Sequence, residues 1–187
     1  MRPIIAITLA LSLSSCDAPR SPVSNTVFDS MDSSPTYRNA FKGATQSTTI
    51  YSKYEKLYTI NASFLSREFY SALRETMAER TTNMELLQTL RSNQSLMVSI
   101  FSPSEEFNDL SNSRLWDFTL TVNGVVYRAK TVTKIKEKES WYPFFPYISR
   151  WSSDFLIVFD IPDSETATNG PFTLTLGSSE TKTLMTW

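Results

Sequence analysis

An Asn123-Gly124 pair set between two β-prone runs constrains the fold of this chain more tightly than any other feature. Trp116, Phe118, Leu120 and Val122 alternate with Asp117, Thr119 and Thr121 on its N-terminal side. A two-residue type I′ turn needs positive φ at both central residues; Asn tolerates this and Gly adopts it freely, so the pair predicts a tight hairpin. The turn also sets a register, in which Val122 faces Val125, Leu120 faces Tyr127 and Asp117 faces Lys130. An apolar face and a charge-paired outer face emerge together.

Most of the chain beyond residue 50 reads the same way. Tyr54, Tyr58, Ile60, Ala62 and Phe64 alternate with Glu55, Thr59, Asn61 and Ser63, the period of a strand with one buried face. A helix is predicted next. Ser66 is suited to cap it, Leu65 and Tyr70 have staple spacing, and Phe69, Ala72, Leu73 and Met77 form its apolar stripe. Thr82-Asn83-Met84-Glu85 matches a capping box for a second helix with Met84, Leu87 and Leu90 on its apolar side. Leu96 to Phe101 is a short strand closed by Pro103. Phe155 to Ile161 is apolar on both alternations, as a strand covered on both faces must be. Phe172 to Leu176 and Thr183 to Trp187 read as a closing hairpin.

These elements predict a mainly β fold: an antiparallel β-sandwich of about seven strands, of which the Ig-like arrangement is one form, with a helical insertion near residues 66–91. The alternative is an α+β roll with two helices on one sheet. Residues 49–187 make a single domain.

The N-terminal segment is of another kind. Arg2 precedes an apolar run from Ile4 to Leu13, too short for a bilayer span of roughly 20 residues, so residues 1–15 read as an export signal. The tetrad Leu13-Ser14-Ser15-Cys16 resembles the lipobox of bacterial lipoproteins. That resemblance implies cleavage before Cys16, a lipid on its thiol, and location in the bacterial cell envelope with the membrane as first partner. Two or more acyl chains anchor a protein stably. Asp17 resembles the inner-membrane retention signal of enteric bacteria, a rule that differs between bacterial groups and leaves inner against outer membrane open. Residues 16–48, rich in Ser, Thr, Pro and Asn, read as a lipidated flexible tether, with a short docked helix from Tyr37 to Phe41 as the alternative. The body also loosely resembles bacterial lipoproteins of no assigned activity that place an Asn-Asp-Leu turn, here Asn108-Asp109-Leu110, before a tryptophan strand and an aromatic crossover.

Composition excludes several chemistries. The chain has no histidine and one cysteine, so Ser-His-Asp and Cys-His sites cannot be built, nor can His-containing or multi-thiolate metal sites. Its four glycines, at 43, 124, 170 and 177, assemble no phosphate-binding loop. Without residues 1–15 there remain 17 basic and 19 acidic side chains, no footprint for nucleic acid. No catalytic residue, metal site or cofactor is assigned.

The stretch from Trp141 to Trp151 is the richest in binding potential. Trp141, Tyr142, Phe144, Tyr147 and Trp151 would form an aromatic platform if exposed, able to stack on sugars or to meet a partner protein; aromatic rings more often fill cores. The run from Lys134 to Glu139 reads as a solvated turn. Glu105, Glu106 and Asp109 could seed an acid-base pair, Asp160, Asp163, Glu165 and Asn169 a calcium loop, and Ser179 with Lys182 has the bare S-x-x-K spacing. Surface turns and solvated loops explain the first two, and the third is a chance match in a predicted hairpin. Three functional classes follow: a non-catalytic interaction module with an envelope protein partner, a carbohydrate- or peptidoglycan-binding module using residues 141–151, and a carboxylate-based envelope hydrolase.

Overall fold

The computed structural model describes residues 34–80, 90, 93–162, 171–178 and 181–187. In chain order these form α1 (Pro35–Ala44), β1 (Thr45–Ser52), β2 (Glu55–Phe64), α2 (Arg67–Arg80), β3 (Ser95–Phe101), β4 (Trp116–Val122), β5 (Val125–Lys134), β6 (Ser153–Phe159), β7 (Phe172–Ser178) and β8 (Lys182–Thr186). The fold is mainly β: eight antiparallel strands make one nearly closed sheet, in the order β1-β2-β3-β6-β5-β4-β7-β8.

The hairpin forms as its turn residues require, with φ of 51° at Asn123 and 82° at Gly124. Val122 faces Val125 and Leu120 faces Tyr127. The expected Asp117–Lys130 pair does not form, because β5 leaves β4 after Arg128. A register shift between Ala129 and Thr131 leaves Lys130 as an extra residue, and β5 continues along β6 instead. Such a bulge bends a strand and re-aims its side chain. Lys130 therefore reaches Asp160 at 3.1 Å, both groups exposed. β5 thus belongs to both layers, which departs from the Ig-like arrangement of two separate sheets.

The inner core lies between the layers. Tyr58, Ile60, Ala62 and Phe64 of β2 meet Leu96, Val98, Ile100, Phe155, Ile157 and Phe159 from one layer and Trp116, Phe118, Leu120, Val122, Leu174 and Leu176 from the other. Every one of these residues follows the strand alternation, so a single face per strand supplies the core. Phe64 closes the far side against Phe172 at 4.5 Å and against the C-terminal Trp187 at 5.7 Å. Tyr54 lies outside this pattern. It sits in the β1–β2 turn with φ of 71° and is fully exposed, so β2 starts at Glu55.

A second core covers the outer face of β3 and β6. Leu65, Met97 and Leu156 pack under Phe69, Ala72, Leu73 and Met77 of α2 and under Tyr37, Ala40, Phe41 and Ala44 of α1. Ser66 caps α2 as expected, its Oγ accepting from the Phe69 amide at 3.2 Å. The capping box at 82–85 lies outside the described residues; Leu90 is buried in this second core.

Helix α1 and strand β1 replace the C-terminal part of the expected tether, and the docked-helix alternative holds. Ser34 accepts from the Tyr37 amide at 3.2 Å and Pro35 occupies the first turn, where its missing N–H costs nothing. Tyr37, Ala40, Phe41 and Ala44 then fall on one face at helical spacing, and Tyr37 and Phe41 are completely buried. Strand β1 is an edge, and across the open seam beside it the Gln46 side chain donates to the Thr186 carbonyl.

Two outcomes check this architecture. A Cβ at residue 124 would meet nothing within 4 Å, so Gly124→Val is penalised only through its positive φ; it should cost about 1–2 kcal/mol and lower Tm by about 2–8 °C in a thermal melt. Phe41→Ala should destabilise the whole domain by about 3–5 kcal/mol in urea titration, since Phe41 is core and not tether.

Candidate functional site

Prolines 143 and 146 prevent a regular strand in the aromatic crossover, so the chain satisfies its amides through successive turns. The amides of Phe144 and Phe145 donate to the Trp141 carbonyl, and that of Ile148 to the Phe145 carbonyl. These turns aim the rings inward. Phe145 is fully buried and Trp141, Phe144 and Ile148 are nearly so, whereas Tyr142 and Tyr147 are partly buried. Phe145 lies 6.1 Å from Phe69 at 87°, 5.8 Å from Trp141 and 5.9 Å from Tyr147, and Phe41 lies 5.7 Å from Phe69 at 75°. Edge-on and tilted contacts at these distances match the aromatic quadrupole and add to burial.

Four of the five rings therefore do not stand as an exposed platform but fill a core. Trp141, Tyr142, Phe144 and Tyr147 cover the outer face of β3 and β6, because strands with apolar residues on both sides need a lid on each. Trp151 alone stands out, 69% exposed, with the Arg150 guanidinium 4.7 Å over its ring.

Beneath the crossover sits a polar cluster the sequence did not announce. Asp154 is completely buried on β6, and the Lys138 ammonium lies 3.1 Å from its Oδ2. Lys138 also donates to the carbonyls of Ser149, at 3.2 Å, and Ser152. The Ser152 hydroxyl is 2.9 Å and 3.1 Å from the two Asp154 carboxylate oxygens. Lys138, expected in a solvated turn, thus fastens both ends of the crossover to the sheet. The Tyr147 hydroxyl donates to the Met97 carbonyl at 3.1 Å and lies 2.9 Å from the Ser63 hydroxyl, and Ser63 pairs with Thr45 at 2.6 Å. Burial pushes the Tyr147 phenol well above its ordinary value; the Ser63 hydrogen bond works against this, and Tyr37 and Asp154 add to it.

Among the described residues the covering layer stops at β5, and there a groove opens. It has a volume of about 340 Å³ and is lined by Thr131, Thr133, Lys134, Ile135, Lys136, Glu137, Trp141, Leu156 and Val158. The register sets Thr131 beside Val158 and Thr133 beside Leu156, so a strip of hydroxyls runs along a strip of aliphatic side chains, with Trp141 among the walls. A volume above about 300 Å³ is in the range of small-molecule sites. A second cleft of about 200 Å³ lies where β5 departs from β4, lined in part by Trp116, Asp117 and Arg128.

Among the described residues, the other candidates do not line the groove. Glu105 and Glu106 are exposed on a short 3-10 turn (Glu105–Asn108), and Asp109 accepts from the Ser111 amide at 3.0 Å. Asn108 holds the same loop through the Ser102 amide and carbonyl, both at 2.9 Å, and Leu110 enters the inner core. Asp163, Glu165, Asn169, Ser179, Cys16 and Asp17 lie outside the described residues. Among the described residues no group of three or more His, Cys, Asp or Glu is placed to hold a metal, and no helix is long and apolar enough to cross a membrane.

No family model, curated protein or solved structure matches this chain.

Removing one partner of a buried ion pair strands the other, so Lys138→Met should cost about 3–5 kcal/mol in urea titration, and Lys138→Met combined with Asp154→Leu should recover most of that loss. Tyr147→Phe tests the phenol. A group whose pKa is raised on folding gives stability that is present below the unfolded value, near 10, and lost as pH rises past it. The variant should therefore cost about 1 kcal/mol at pH 8 and show a shallower loss of stability above pH 10 than the parent chain.

Proposed function

We propose that this chain is a lipid-anchored, non-catalytic interaction module of the bacterial cell envelope, held to the membrane through Cys16 and meeting its guest in the groove beside Trp141. The groove carries the reading. It is an opening of ligand size with an apolar floor, and it lies where the covering of the sheet ends. The lipobox-like tetrad ending at Cys16 supports the anchor, and Asp17 favours the inner membrane where enteric sorting rules apply. Burial of the rings between Trp141 and Tyr147 takes away the main support for a glycan platform.

Two experiments test the two halves. Labelled palmitate should enter the parent chain and not Cys16→Ser, and that variant should leave the membrane fraction; unchanged fractionation would refute the anchor. A photo-reactive residue at Thr133, which lines the groove, should give adducts in intact cells, while one at Thr121, on the opposite layer, should not. Equal labelling at both positions would refute the groove as the site.

A further inference from the structure

We infer that the open seam between β1 and β8 accepts an added strand, an uncharged extended segment of a partner polypeptide with small hydroxyl side chains on its inward face. This site is separate from the groove and does not depend on it. β1 and β8 end the sheet on either side, and among the described residues no backbone hydrogen bond joins them. Side chains alone bridge the gap: Gln46 donates to the Thr186 carbonyl, and the Tyr58 hydroxyl meets that of Thr181, just before β8.

The backbone chooses the class of occupant. Phe172 and Trp187 exchange both of their amide bonds, so Trp187, Met185 and Thr183 turn their backbone groups to β7, and Leu184 and Thr186 turn theirs to the seam. Donors and acceptors at strand spacing are matched by another extended backbone. Exposed edges are ordinarily blunted by charge or proline. Thr45–Ser52 carries neither, its register shift comes only past Ile50, and β8 has only Lys182, at its start. Both banks need pairing at once. A strand of a second folded copy already pairs within its own sheet and can serve one bank only, whereas a segment free on both edges serves both.

Side chains along the seam set the composition of the occupant. Thr183 is 7% exposed, alternates with the core residue Met185 on the inner face of β8, and its hydroxyl has no hydrogen-bond partner. Gln46 and Thr48 line the inner face of the other bank, since they pair with Ala62 and Ile60. An inward Ser or Thr of the added strand lies across from Thr183, where hydroxyl pairs form. On the outer face Leu184 is 64% exposed, and an apolar residue of the occupant covers it.

The probe is the peptide acetyl-Ser-Val-Thr-Val-Ser-Val-Thr-amide, titrated into the full chain carrying Cys16→Ser, with amide NMR shifts of Ser47, Leu184 and Thr186 as readout. Binding should move these amides, and N-methylation of the peptide's valines, which removes the donors along one edge, should weaken it at least about tenfold. Leu184→Pro removes a seam-facing N–H at an exposed edge position, and Ser47→Lys puts a charge on the other bank. Each variant should melt like the parent chain and bind at least about tenfold more weakly. Undiminished binding by the N-methylated peptide or by both variants would overturn strand addition, as would shifts away from the seam or none at all. A dimer whose Leu184 and Thr186 amides resist exchange would overturn the partner segment in favour of a second copy. A monomer with those amides protected before any peptide is added would overturn it in favour of this chain's own residues.

Discussion

Burial of β3 and β6 on both faces is the constraint on which the rest of the structure depends. Leu96, Val98, Ile100, Phe155, Ile157 and Phe159 point into the space between the layers, and Met97 and Leu156 point outward into a second core. A sheet with one wet face needs only alternation, but these two strands must be roofed. The roof comes from three distant parts of the chain: α1, α2 and the crossover from Trp141 to Ile148. Their rings interlock around Phe41, Phe69 and Phe145. Helix α1 is thereby part of the fold, and the aromatic segment is part of the core.

A roof of rings over a sheet leaves polar groups to be accommodated beneath it. Asp154 is fully buried, and its carboxylate is matched by the Lys138 ammonium and the Ser152 hydroxyl. Taking such a pair out of water is expensive, so its contribution is better seen as fixing the crossover in one position than as net stability. Tyr147 works similarly from the other side, joining the roof to β2 and β3 through Ser63 and the Met97 carbonyl. The groove is a consequence of where this roof ends. Among the described residues no helix covers the outer face of β4 and β7, which presents Thr119, Thr121, Thr173 and Thr175, whose hydroxyls and methyls are compatible with water.

How much of this was legible in the sequence depended on whether the controlling interaction was local. The hairpin at Asn123-Gly124 was readable because a demand for positive φ selects residue types directly. Strand β6 was readable because apolar residues on both parities have few other uses in so short a run. Helix α1 and strand β1 were obscured by their polar setting: β1 is an edge strand with a single aliphatic residue, Ile50, and it borrows its order from β2. A Ser34-Pro35 start followed by Tyr37, Ala40, Phe41 and Ala44 at helical spacing was the signal present. The bulge at Lys130, the Lys138–Asp154 pair and the groove were not legible, since each arises from elements that meet only after the sheet has closed.

The rings of the crossover are core, and amide hydrogen exchange of the intact protein reads this directly. The amides of Phe144, Phe145 and Ile148, bonded to carbonyls within the crossover, should exchange slowly and together with those of β3 and β6, because all open only when the second core opens. Exchange of these three amides at the rate of an exposed loop, while β3 and β6 stay protected, would contradict that assignment.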